Sequence, residues 1–184
     1  MDTMRRLRDL LMYEVRNICS AEEQIIEALP SMIGKAANPA LKGVLEQHLE
    51  VTKRQKDRLT SVKQMIGNME ESGESGGILE TLFGPSDKCK GIEGLIEEGE
   101  KVMSVDMEPQ VMDAAIIGVA QKIEHYEMAA YGTTRTYAEQ LGMVDVAQLL
   151  QQTLLEEQDT DDQLTSLAVG NVNQRAVVGV TANS

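Results

Sequence analysis

The chain has no tryptophan and a single phenylalanine, and aromatic residues make up 3% of its 184 positions. Strands favour aromatic and β-branched residues in alternation. That signature is missing here, while Leu, Met, Ala, Glu and Gln, which suit helices, are abundant. The expected class is all-α. Basic residues are also short, with 17 Lys and Arg against 30 Asp and Glu, a net charge of −13. A phosphate backbone could not be neutralised over a continuous surface by such a chain, which argues against nucleic acid as a partner. The acidic balance otherwise serves solubility and does not by itself imply cation chemistry.

Cysteine is scarce too. Cys19 and Cys89 lie far apart, lack the CxxC spacing of a zinc or redox site, and are too few for a secreted disulfide scaffold. A reducing, cytoplasmic setting is expected. No apolar run approaches the roughly 18 residues needed to span a bilayer. The opening residues MDTMRRLRDLLMYEVRN mix acidic with apolar positions, so neither a signal peptide nor a membrane partner is expected. At 42% hydrophobic content, the length suits one domain with one sizeable core.

The apolar positions Leu7, Leu11, Ile18, Ile25 and Leu29 recur at helical spacing and predict a first helix over about Thr3 to Ala37, kinked or broken at Pro30. Asn38-Pro39 reads as a cap and first helical position for a second helix, through Leu41, Leu45, Leu59, Val62 and Ile66 to about Met69. Glu70 to Gly77, EESGESGG, reads as a polar connection. Ile78 to Phe83 and Cys89 to about Val105 predict one or two short helices, broken by Gly84-Pro85. A third long helix follows Glu108-Pro109 to about Leu141, with Gly142 as its C-cap, and a fourth runs from about Asp145 to Val169. Four long helices with a long crossover between the second and third match a bundle built from two antiparallel pairs. Residues 1–170 would form it, leaving 171–184 as a C-terminal tail with no clear period.

Each long helix carries polar residues inside its apolar stripe, where a charge must be paired, neutralised or bound to a metal. Glu22 shares a face with Ile18 and Ile25, and His48 follows Leu45 by three residues, with Thr52 and Gln55 next on that face. Glu124 is seven after Ile117, with Glu127 three further on; Glu157 lies between Leu150 and Leu164, with Asp161 one turn later. Five carboxylates and one imidazole therefore point toward one core. Carboxylate oxygen with a little imidazole nitrogen suits iron or manganese, and bridging carboxylates could hold two ions close together. Taken singly, each residue better fits a solvated stripe edge or, for His48, a hydrogen-bonded core histidine; agreement among four helices brings the metal reading level with that one. His125 is about 100° around the helix from Glu124 and should face away from the centre. Tyr126 and Tyr131 read as packing residues whose hydroxyls find partners.

The blocks SAEEQIIEALP, LEQHLEVTKRQ, KCKGIEGLIEEGE, DAAIIGVAQKIEHYEMAAYGT, YAEQLG and LLQQTLLEEQDTDDQLTSLA, in this order from about Leu7 to Ala176, resemble the YciE/YciF family of ferritin-like proteins. The resemblance implies a ferritin-like bundle, a homodimer, and membership of a bacterial stress-associated family sometimes labelled ferroxidase. Where that family reads HLEET, this chain reads HLEVT, with Val51 in the place of a glutamate. The broader di-iron pattern has Glu-x-x-His on two helices. Here Leu45 precedes His48 by three, Lys122 precedes His125 by three, and Thr160 follows Glu157 by three, so a carboxylate-rich variant using Glu124-x-x-Glu127 is expected. Glu22, His48, Glu124, Glu127, Glu157 and Asp161 are the candidate metal ligands, for a ferroxidase or an oxygen- or peroxide-linked oxidoreductase. The alternative is a stress-associated structural or binding protein that keeps the bundle without redox chemistry.

Overall fold

A computed structural model describes residues 4–68 and 87–178. All its regular elements are helical: α1 Leu7–Lys35, α2 Pro39–Asn68, α3 Lys90–Met103, α4 Pro109–Gln140, α5 Val144–Leu167, a π-helical turn Ala168–Val172 and α6 Asn173–Val178. The expected connection over Glu70 to Gly77 and the short helix over Ile78 to Phe83 lie outside the described residues. None of the described helices is long and apolar enough to cross a membrane.

The four long helices, α1, α2, α4 and α5, pack as a bundle whose core divides into two apolar layers. At one end Leu11, Val15 and Ile18 of α1 meet Leu59, Val62 and Ile66 of α2, with Ala138 of α4 and Val146 and Leu150 of α5. At the other, Leu29 and Met32 meet Leu41 and Leu45, with Ile116, Ile123 and Leu164. Early α1 and late α2 share a layer, so α1 and α2 are antiparallel, as are α4 and α5. Both α2 and α4 run from the second layer to the first, which obliges the chain to cross the bundle between them. On that crossover α3 packs along α4 and α1, sending Ile92 into the core.

Local chemistry sets the turns. Asn38 Oδ1 accepts from the backbone N–H of Ala40 at 2.9 Å and of Leu41 at 3.3 Å, capping α2. Asp113 of α4 accepts from the N–H groups of Ala37 and Asn38, pinning that turn to the bundle. Gly142, at φ 71°, ends α4 in the left-handed conformation that only glycine takes without cost. There the Met143 N–H reaches back to the Ala138 carbonyl, closing a Schellman motif. α1 passes through Pro30 without a break. Pro30 is exposed, so the carbonyl it strands can be solvated, while buried Leu29 and Met32 anchor the turns on either side. Helical structure also extends past residue 170, and Val172 enters the core.

Candidate metal centre

Between the two apolar layers lies a polar one. It is built where each stripe is interrupted: Glu22 on α1, His48, Thr52 and Gln55 on α2, Glu124 and Glu127 on α4, and Glu157 on α5, all buried. Helical periodicity forces this arrangement. Each interruption is a full turn or two from apolar neighbours already committed to the core, so its side chain has no route to solvent that keeps those neighbours buried.

One donor atom from each of His48, Glu124, Glu127 and Glu157 comes within 4.8 Å of the others. His48 Nε2 lies 3.2 Å from Glu124 Oε1, a close approach without hydrogen-bond alignment. Glu22 flanks the group: its Oε1 accepts from the buried Tyr131 hydroxyl, and its Oε2 has no partner. Asp161 is not brought in. It sits one turn beyond Glu157 on the flank facing α4, where it accepts from Gln121 Nε2 at 3.0 Å and lies 3.4 Å from His125 Nε2. The His125 side chain is largely exposed.

Sequence reasoning passed over the groups that hold Glu157. Gln55 Nε2 donates to Glu157 Oε1 at 2.6 Å and to Glu156 Oε2 at 3.1 Å. Arg58 in turn grips both oxygens of Glu156 at 2.8 Å and donates to Thr153 Oγ1. Gln55 lay on the right face seven residues after His48, but nothing in the apolar period singles out Arg58 or Glu156; only their spacing from Gln55 and Glu157 could have flagged them.

Burial governs the electrostatics. It pushes the carboxyls of Glu22, Glu124 and Glu127 well above the usual range, and the neighbouring Glu157 charge adds to this in each case. Glu157 itself is pushed up to about 7, burial again leading, with the hydrogen bonds from Glu124 and Gln55 pulling the other way. Burial lowers His48 to about 4, so its imidazole is neutral near pH 7 and keeps a free lone pair.

The residues fit a metal. Glu22 Oε2, both ring nitrogens of His48, Gln55 Oε1, Glu124 Oε2, both oxygens of Glu127 and Glu157 Oε2 are buried without a hydrogen-bond partner. Leaving one such group unsatisfied costs about 1–3 kcal/mol. A layer of this many unpartnered polar atoms is the reverse of a satisfied structural network, and its donor set suits cations. Oxygen-rich ligation with one imidazole is the chemistry of iron and manganese sites.

Three comparisons bear on kinship. The family described as "Domain of unknown function (DUF892)" matches residues 6–83 and 84–177. Protein YciF of Escherichia coli (strain K12) is 38% identical over 173 residues, covering 94% of this chain and 96% of that protein. The crystal structure of the E. coli stress protein YciF superposes with a TM-score of 0.81 at 39% identity, over 94% of this chain and 100% of that one. YcfI of Rhodopseudomonas palustris, described as a candidate structural protein, gives 0.76 at 36% identity, over 88% of this chain and 94% of its own. The chain belongs to the DUF892 family of YciF-like proteins.

Proposed function

We propose that this protein is a ferritin-like bundle holding two iron or manganese ions in its polar layer and using them in oxygen- or peroxide-linked redox chemistry, including ferroxidation, in the cytoplasm during stress. The observation that carries the reading is the set of unpartnered buried donors on His48, Glu124, Glu127 and Glu157. Charge supports the number of ions. With Glu22, four buried carboxylates balance two divalent cations, while neutral His48 adds a donor without charge. Bound iron or manganese supplies the one-electron steps. The protein's own groups set the conditions: burial excludes water, the carboxyls release their protons as cations enter, and the Arg58–Glu156–Gln55 chain fixes Glu157. Kinship with a stress protein supports the physiological setting.

The second reading, a structural or binding protein with an inherited polar layer, is favoured by the description of YcfI. Metal content separates the two. Protein purified without chelator and then loaded with ferrous iron under anaerobic conditions should hold about two ions per chain. A His48→Ala, Glu124→Ala variant should hold none. A parent with no stoichiometric metal after loading would leave the structural reading standing.

A further inference from the structure

The donors that cluster in the polar layer leave one carboxylate out. His48, Glu124, Glu127 and Glu157 each bring an atom within 4.8 Å of the others, and Glu22 is not among them, although α1 buries it completely in the same layer. Glu157 and Glu22 are alike in having one oxygen held and one free. What differs is where they are held. The Gln55 amide holds Glu157 Oε1 and leaves that residue inside the group; the Tyr131 hydroxyl holds Glu22 Oε1 and leaves Glu22 outside it. Tyr131 is itself fully buried, its ring packed into the apolar layer of Leu11, Ile18 and Leu59, so close packing fixes where its hydroxyl sits.

We infer that Tyr131 is a positioning residue that grades the two cation positions: the assembled group takes the first ion, and the second is taken against the Tyr131–Glu22 hydrogen bond. The inference rests on the metal reading above. Three carboxylates in the assembled group cannot balance two divalent cations, so the second position needs Glu22. To join the group, Glu22 has to turn its carboxylate away from Tyr131, and the phenol O–H then loses its acceptor in a place with no access to water. A buried donor stranded in this way weakens the second position alone, because His48, Glu124, Glu127 and Glu157 are already together for the first.

Manganese(II) uptake by the full chain, followed through the paramagnetic resonance signal of the free ion, tests this. The parent should fill in two steps separated by at least about tenfold in affinity. Tyr131→Phe removes the hydroxyl and keeps the ring, so the second step should tighten by about tenfold, the worth of one hydrogen bond to a charged group, while the first stays put. Glu22→Gln keeps the volume and removes the charge; it should abolish the second step and preserve the first. Tyr126→Phe, which removes a hydroxyl bonded to Asn17 outside the layer, should move neither. A merely structural role for Tyr131 would move both steps together or neither. Two indistinguishable steps in the parent, a second step that Tyr131→Phe weakens, leaves unchanged or moves along with the first, or a Glu22→Gln variant that keeps or loses both steps, overturns the assignment and leaves the metal reading standing. A parent that takes up no manganese overturns the metal reading and this inference with it.

Discussion

α4 carries two buried polar clusters on adjoining faces, and they are built on opposite principles. On one, Tyr126 takes a hydrogen bond from Asn17 Nδ2 at 3.1 Å and sits 3.1 Å from Cys89 Sγ; the Cys89 N–H donates to Ser20 Oγ at 3.0 Å, and Gln24 Nε2 bridges Ser20 to the Cys89 carbonyl. No buried side-chain atom of this network lacks a partner. It ties α3 to α1 and α4, and at Gly91 a Cβ would come within 2.5 Å of the Tyr126 ring, so the fit there is close. On the other face Glu124 and Glu127 join His48 and Glu157 in a layer full of orphaned acceptors. Both clusters cost desolvation, but only the first recovers it at every buried side-chain atom; in the second, Gln55 and Tyr131 satisfy single oxygens of Glu157 and Glu22 and leave the others without partners. The difference separates a polar network that locates a helix from one whose unpartnered donors the proposed function would use to hold metal.

The largest expected effect breaks the contrast by filling the orphaned layer. Manganese(II) at a thousandfold excess over its dissociation constant should stabilise the parent by about 4 kcal/mol, seen as a higher melting temperature, and should leave a Glu127→Met variant unmoved. A parent melt indifferent to the metal would put the two clusters in the same structural class.

Somewhat smaller is the pH response of the metal-free protein. A carboxyl with a raised folded pKa keeps its proton after the unfolded chain has lost it, so its contribution is full below about pH 4.5 and drains as pH climbs toward the folded value. For Glu157 that window runs from about 4.5 to about 7 and is worth about 3 kcal/mol. Glu22, Glu124 and Glu127 act in the same direction. His48 opposes them: its lowered pKa adds stability as pH rises from about 4 to 6.5. Four carboxyls outweigh one imidazole, so urea midpoints in chelator should fall from pH 5 to pH 7. In the metal-loaded protein the trend should reverse, since cations replace the protons.

Much of this was legible in the sequence, for a physical reason. Glu22, His48, Glu124, Glu127 and Glu157 could be placed in one layer because long helices with a clean 3.6-residue period fix which way each side chain points. Asp161 shows the limit: one turn past Glu157, it lies close enough to the stripe to be counted, yet the turn and the α4 flank take it to Gln121 and His125. The Cys89–Tyr126 network was not legible, because it joins α1, α3 and α4 through contacts that no periodicity encodes. Arg58 escaped notice for the same reason, since its partner Glu156 lies 98 positions away. The continuation of helix past residue 170 depends on Val172 reaching the core, which a tail with no clear period does not announce.

A finer test replaces one residue in each cluster with an apolar isostere. In the orphaned layer, Glu127→Met removes a carboxyl with two unpartnered oxygens and fills its volume, so the metal-free protein should gain about 1–3 kcal/mol in urea unfolding while losing metal.

In the satisfied network, Tyr126→Phe strips one hydroxyl from between Asn17 and Cys89 and strands the Asn17 amide and the Cys89 thiol. Stability should fall by about 1 kcal/mol, the net value of a hydrogen bond, with metal stoichiometry unchanged. Opposite signs from two substitutions at neighbouring positions on one helix would be hard to obtain from packing alone, because each change keeps the volume it replaces. Equal losses from both would mean that Glu127 has protein partners in solution, and that the contrast between the two faces of α4 is smaller than its hydrogen bonding implies.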